Sequence, residues 1–243
     1  MSTATKTGPG AEKPSVLIFV PAYGSQVSTA TFNSVLAISA ALAGHGIASA
    51  VSAHGMPDIA ELRNVATTMW FDASPFTHML HIDSDMGIPP ALVLDMLGFG
   101  EPVVGALYPK KDMALSWAAS GYGEGAGMRG PFMEVEGVGA GCLLIRRDAV
   151  ARMIEAEPSL ADTRIDAFAG PFKPAGVKRL LRLFDKIDLP ERGIAAEDLS
   201  FCLRWGAAGG TVWAATHHAI AHVGPYSFTA CYARDGGKER IPT

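Results

Sequence analysis

The first readable pattern in the chain is an unbroken apolar run, Val16-Leu17-Ile18-Phe19-Val20, which stops at Pro21-Ala22-Tyr23-Gly24. Hydrophobicity without alternation predicts a central strand covered on both faces. Ser28 or Thr29 then supplies a cap for a helix running to about Ala43, ended by Gly44 and Gly46. Residues 47–52 read as a second strand, and Pro57-Asp58 opens a second helix, Ile59–Ala73. Residues 77–86 are apolar at first, end in Asp83-Ser84-Asp85 and lie between Pro75 and Pro89-Pro90, as a buried strand would. A helix over 91–99 and a strand over 102–107 complete a regular alternation. That alternation predicts a doubly wound, mainly parallel α/β sheet flanked by helices. In such sheets ligands bind beyond the carboxyl ends of the strands, where Pro21-Ala22-Tyr23 and Asp83-Ser84-Asp85 both fall.

After Lys110-Lys111 the alternation stops. Residues 114–120 read as a short strand, and 121–130 hold five glycines, as a turning loop requires. Residues 133–145 read as one long strand bent at Gly137, Gly139 and Gly141, where backbone must approach a neighbour closely. A helix over 149–156 leads into 158–180, a stretch with Pro158, Pro171 and Pro174 and no period, expected to be a lid or a surface insertion. A short strand over 184–187, a helix over 196–207 opening with Glu197-Asp198, and strands over 211–215 and 219–223 follow. His217-His218 lie between the last two, and His222 near the end. The expected division is a disordered lead-in (1–14), a single domain (15–226) with halves 15–111 and 112–226, and a tail (227–243).

Composition narrows the picture only a little. Of 243 residues 49% are hydrophobic, ample for a core, and 18% are charged. A net charge of -4 gives no reason to expect a nucleic-acid partner. Cys142, Cys202 and Cys231 are odd in number and have no CxxC spacing, which suits unpaired thiols in a reducing, cytoplasmic setting. No uninterrupted apolar run reaches the ~18 residues a membrane span needs. Peripheral contact with a membrane stays open, and the oligomeric state is not legible.

The candidate chemistry is concentrated at Asp83 and Asp85. Alternation along a strand would project both carboxylates to one side. Two carboxylates held so close repel unless a cation or a shared proton intervenes. Mg²⁺ or Mn²⁺ fits, because a hard ion takes oxygen ligands and completes its shell with water and phosphates. The plain alternative is a solvated turn after a strand.

In their order, the strand ending in Pro21-Ala22-Tyr23, the helix with Arg63-Asn64, the Asp83-x-Asp85 strand end, the Gly137-Val138-Gly139-Ala140-Gly141 segment, the Glu197-Asp198 helix start and the late His222 resemble a family. They are similar to GT-A glycosyltransferases, family 2-like, over about residues 16–224. The resemblance implies a GT-A (Rossmann-like) fold whose mixed C-terminal half forms the acceptor side. It implies a metal-dependent enzyme moving one sugar from a nucleotide-diphosphate sugar, a UDP-sugar favoured, to a glycan, lipid-linked or protein hydroxyl. The donor site would comprise Pro21, Ala22, Tyr23, Arg63, Asp83, Ser84 and Asp85, with Arg63 at the nucleotide or phosphates. Asp83, Asp85 and His222 would hold Mn²⁺ or Mg²⁺, with His217 and His218 as rivals of His222, of which at most one should reach the metal. Asp198, beside Glu197, would be the catalytic base of an inverting reaction; in a retaining one it would orient substrate. Gly139, Ala140, Gly141 and Trp117 would border the donor sugar and acceptor. For Arg63 the plain alternative is a solvated helix residue paired with Asp58 or Glu61. A nucleotidyltransferase would need a Gly-rich, Lys-containing loop after the first strand, which Tyr23-Gly24-Ser25-Gln26 does not provide. A non-catalytic nucleotide- or sugar-binding module is the remaining alternative.

Overall fold

The computed structural model describes residues 13–164 and 177–236. Most of the expected lead-in, part of the 158–180 stretch and the last residues of the expected tail lie outside them. The elements are β1 (Ser15–Pro21), α1 (Thr29–Gly44), β2 (Ala48–His54), α2 (Ile59–Ala73), β3 (His78–Ile82), β4 (Met86–Gly87), α3 (Pro90–Phe99) and β5 (Val103–Ala106). There follow β6 (Ala119–Ser120), β7 (Met128–Arg129), β8 (Phe132–Val135), β9 (Gly137–Val138), β10 (Cys142–Arg146), α4 (Arg147–Ala156) and α5 (Glu197–Ala207). Strands Val212–Ala215, Ile220–Val223 and Ser227–Ala230 come next, followed by a short helix, Tyr232–Asp235.

The central sheet has eight strands in the order β2-β1-β3-β10-β5-(Val212–Ala215)-β8-β7. Apolar side chains pack on both of its faces, which is why β1 shows no alternation in sequence. Val16, Ile18 and Val20 join Ile38 and Leu42 of α1 and Leu92, Val93 and Met96 of α3 on one face. Phe19 joins Leu62, Ala66 and Trp70 of α2, Val150 of α4 and Phe201 and Trp205 of α5 on the other. Ser28 caps α1 by accepting from the Thr31 N–H at 3.1 Å, and Asp58 caps α2 in the same manner.

The sheet is mixed rather than mainly parallel. β1 runs parallel to β2 and β3, and Val212–Ala215 parallel to β5. β10 inserts antiparallel between β3 and β5. The long bent strand expected over 133–145 is three strands with different partners: β8 in the main sheet, β9 paired with β6, and β10. The glycines mark those breaks. A Cβ on Gly137 would meet Leu199 at 2.6 Å, and one on Gly139 would meet the Tyr108 hydroxyl at 2.1 Å. Residues 184–187 are not a strand; short strands Leu180–Leu181 and Asp188–Leu189 lie to either side. The tail expected from 227 begins as strand Ser227–Ala230, paired with Ile220–Val223, and Tyr232 packs edge-on against Trp117. All three cysteines are buried thiols without disulfides. Among the described residues no helix is long and apolar enough to cross a membrane.

Candidate active site

β3 ends at Ile82, so Asp83-Ser84-Asp85 is a turn and not a continuation of the strand. The alternation argument for placing both carboxylates on one side therefore does not apply, and tertiary contacts set their directions instead. The Ser28 N–H donates to the Ser84 carbonyl at 2.7 Å, and the Met86 N–H donates to Thr31 Oγ1 at 2.7 Å. The start of α1 thus grips the turn from one side. On the other, the Asp83 N–H donates to the Gly141 carbonyl at 3.2 Å, and the Val223 N–H to the Asp85 carbonyl at 2.7 Å.

Asp83 faces inward. Its Oδ1 accepts from Arg63 Nη2 at 2.7 Å. Arg63 is 2% exposed; its Nη1 lies 3.2 Å from His81 Nδ1 and its Nε 3.5 Å from Glu197 Oε1. Burial works against the guanidinium, but Asp83 and Glu197 outweigh it and hold its pKa above the ordinary value. Arg63 is therefore neither a solvated partner of Asp58 or Glu61 nor an open phosphate ligand. It is an internal strut that joins β3 to the start of α5. Asn64, its neighbour, is also structural: its amide donates to Asp185 at 2.6 Å and accepts from the Phe184 N–H at 2.8 Å.

Asp85 faces a different set. Lys111 Nζ donates to its Oδ2, and His222 Nε2 lies 3.5 Å from its Oδ1. Strand Ile220–Val223 pairs with β4 in a register that sets His222 opposite Met86, which brings the imidazole beside Asp85. His222 Nδ1 is 3.0 Å from the Pro109 carbonyl, which can only accept, so Nδ1 carries a proton and Nε2 faces the carboxylate. Asp85 Oδ1 is buried without a hydrogen-bond partner. In neutral His222, two lone pairs thus confront each other across 3.5 Å, an arrangement that a cation between them would satisfy. Burial pushes the Asp85 carboxyl up, but the neighbouring His222 imidazole and Lys111 ammonium outweigh it and keep its pKa below the usual range. Asp85 and His222 form a donor pair that fits a divalent ion, but Asp83, bound to Arg63, does not join them in a cluster of three ligand atoms within 4.8 Å of one another, so the expected three-residue metal set is not assembled.

Glu197 and Asp198 open α5, where acids are favoured by the helix dipole. Burial, then the neighbouring Asp198 charge, raises the Glu197 pKa, with Arg63 offsetting part of the effect. Tyr108 lies between the acids. Its hydroxyl accepts from the Gly141 N–H at 3.1 Å, and burial followed by the charges of Asp83 and Asp198 pushes its pKa well above the ordinary phenol value. Asp83, Asp85, Arg63, Lys111, His222, Glu197 and Asp198 are thus brought to one end of the sheet.

Other expected site residues lie elsewhere or are covered. Pro21 and Ala22 are buried at the end of β1, with the Ala22 N–H donating to the His54 carbonyl at 2.7 Å, while Tyr23 is 72% exposed. Gly139, Ala140 and Gly141 are buried, and a Cβ on Gly141 would meet the Tyr108 hydroxyl at 2.7 Å. They form a floor beneath Asp83 in place of an open sugar-binding surface. Trp117 is 4% exposed and packs into the core, so it offers no face to a sugar. His217 and His218 both turn away to Asp95 on α3.

Sequence reasoning missed Lys111, His81 and Tyr108. The signal for Lys111 was present: a cation pair just past the end of a strand, in a chain whose ligand site was placed at such ends. Bonds within residues 109–117, including the Lys110 N–H to the Ser116 carbonyl at 2.8 Å, hold Lys111 over Asp85. Gly224 leaves room for its stem, since a Cβ there would lie 3.2 Å from Lys111 Cδ.

No family model matches the chain, and no curated protein matches it either. Solved structures do. It is similar to A197 from STIV, with a TM-score of 0.51 and 17% identity over 94% of this chain and 98% of that one. It also matches the catalytic domain of Drosophila beta1,4galactosyltransferase 7, solved with xylobiose, with a TM-score of 0.42 and 13% identity over 95% of this chain and 76% of that one. A Bacillus anthracis protein designated a glucose-1-phosphate thymidylyltransferase, in complex with a sucrose, matches with a TM-score of 0.32 and 12% identity over 60% and 76% of the two chains. At these identities the likeness of the first concerns the fold alone.

Proposed function

We propose that the chain is a metal-dependent glycosyltransferase that moves one sugar from a nucleotide-diphosphate sugar, a UDP-sugar by preference, to a hydroxyl acceptor with inversion. The observation that carries this reading is the buried, unpartnered Asp85 Oδ1 facing His222 Nε2 at 3.5 Å, with the Lys111 ammonium on the other carboxylate oxygen. Carboxylate and imidazole together suit a divalent ion, and the imidazole favours Mn²⁺ over Mg²⁺. Bound there, the ion would offset the negative charge of the departing diphosphate.

The chain's own residues supply the rest. Lys111, about one-third exposed, is the cation available to phosphate oxygens, whereas buried Arg63 fixes Asp83 and Glu197 in place. Asp198 takes the proton of the acceptor hydroxyl as that oxygen bonds to the anomeric carbon, and the bond from that carbon to the diphosphate oxygen breaks. Glu197, paired with buried Arg63, fixes the start of α5 and so positions Asp198 beside it.

Thermal unfolding with UDP, GDP, CDP and ADP, each with and without Mn²⁺, tests the reading. A ligand at about 100 times its Kd adds roughly 2.7 kcal/mol of stability. For a domain of this size that raises Tm by roughly 5 to 10 °C. The expected result is a rise with UDP that requires Mn²⁺ and disappears in Asp85→Asn. No shift with any nucleotide, with or without the ion, would overturn it.

A further inference from the structure

We infer that Asp95, His217 and His218 form a second cation site, distinct from the Asp85 site and suited to a borderline divalent ion such as Zn²⁺. His217 Nε2 lies 3.0 Å and His218 Nε2 2.7 Å from Asp95 Oδ2, and the three ligand atoms all lie within 4.8 Å of one another. Tetrahedral zinc with bonds of about 2.0–2.1 Å separates its ligands by roughly 3.3 Å. The two Asp95–imidazole separations therefore lie within about 0.3–0.6 Å of the spacing that the ion requires.

Adjacent residues converge here because they do not lie on a strand. Val212–Ala215 ends at Ala215, and the chain bends through 217–218 before Ile220–Val223 begins. Thr216 anchors the bend: its N–H and hydroxyl both donate to the Pro131 carbonyl, at 3.1 and 2.8 Å. The two rings lie 4.1 Å apart at their centroids, and His217 also meets Phe132 edge-on. With the rings held and Asp95 rising from α3, ligand reorganisation on binding is small. Ligation through Nε2 places the ring proton on Nδ1, which in His217 is buried without a hydrogen-bond partner.

The charge around this cluster also points to a cation. Among the described residues, the ion pairs formed by Asp95 are with these two imidazoles, and no Lys or Arg competes for it. The side chains are 47%, 28% and 16% exposed for Asp95, His217 and His218, which leaves an entry path and room for water as a fourth ligand. Two imidazoles and one carboxylate select Zn²⁺-class ions over Mg²⁺.

The test is calorimetric titration of the full chain with Zn²⁺, paired with Co²⁺ titration read by visible absorption, in an Asp85→Asn background that disables the other site. The expected result is one equivalent of Zn²⁺ in Asp85→Asn and a tetrahedral Co²⁺ spectrum. Adding His217→Gln and His218→Gln should weaken Zn²⁺ binding by at least roughly 100-fold, since loss of a mere supporting partner costs 10–100-fold. Asp95→Asn, which leaves both rings in place, should also weaken it, and circular dichroism checks that each variant folds. Absence of Zn²⁺ binding in Asp85→Asn, or equal binding after the His217 and His218 changes, would overturn the site. Both outcomes are independent of nucleotide binding and of transfer.

Discussion

Asp85 and Asp95 are both carboxylates within reach of histidine, yet their surroundings ask for different ligands. Asp85 sits in a half-buried end of the sheet with Lys111 on one oxygen, and Asp83, tied to buried Arg63, two residues away. Asp95 is 47% exposed and, among the described residues, meets only imidazole nitrogens. Fixed cations beside the first site suit an anion that arrives with a metal, as a diphosphate does. At the second, no Lys or Arg among the described residues pairs with the carboxylate. On the readings proposed above, the same side-chain types serve a metal–phosphate pair in one place and a bare cation in another, and the neighbouring positive charge makes the difference.

The largest break in this comparison comes from Asp85→Asn, which should cut transfer by about 1,000-fold while leaving the fold intact, since loss of a group that stabilises transition-state charge costs on that order. A steady-state assay with UDP-sugars beside a thermal melt reads both effects. Arg63→Leu should act on stability instead. Removing a buried charge strands Asp83 and Glu197 and costs about 3–5 kcal/mol, a fall in Tm of roughly 10 °C for this size, measurable by calorimetry. If Arg63 were a solvated residue, the melt would hardly move.

Acid should weaken the first region through His81. Burial, then the Arg63 charge beside it, pushes the His81 pKa well below its ordinary value. Its folded pKa lies below its unfolded one, so the stability it contributes is present above about pH 6.5 and is lost as pH falls, by up to roughly 1.4 kcal/mol per pH unit. His78, held down to about 4 by burial and by Arg146, adds to the loss in the same direction. Melts between pH 7 and pH 5 should show Tm falling, and His81→Leu should flatten that slope even though its own Tm is lower. The smallest effect is expected from Lys111→Ala. It removes the ammonium that occupies Asp85, so Mn²⁺ alone should bind as well or better, while UDP in the presence of Mn²⁺ should bind about 10-fold more weakly, as loss of a charged hydrogen bond predicts. Equal weakening of both would mean that Lys111 shapes the metal site and does not meet phosphate.

Much of the fold was legible because it rests on local rules. Ser28 and Asp58 mark helix starts by capping, and Ile59–Ala73 was readable to the residue. The unbroken apolar run of β1 announced a strand buried on both faces, and the Asp85 and His222 candidates do meet. The division of residues 133–145 into three strands was not legible, because glycines permit a break without saying which partner each fragment will take.

Residue type, spacing and apolar period by themselves determined the α/β class, the helix boundaries and the position of Asp83 and Asp85 just past a strand end, since those follow from interactions a few residues long. Tertiary structure alone decided that Arg63 is an internal strut, that Trp117 is core, that Lys111 lies over Asp85, and that His217 and His218 leave His222 for Asp95. Each of these depends on contacts between segments far apart in the chain, set by strand order and register, and local periodicity carries no information about which distant segment will be the neighbour.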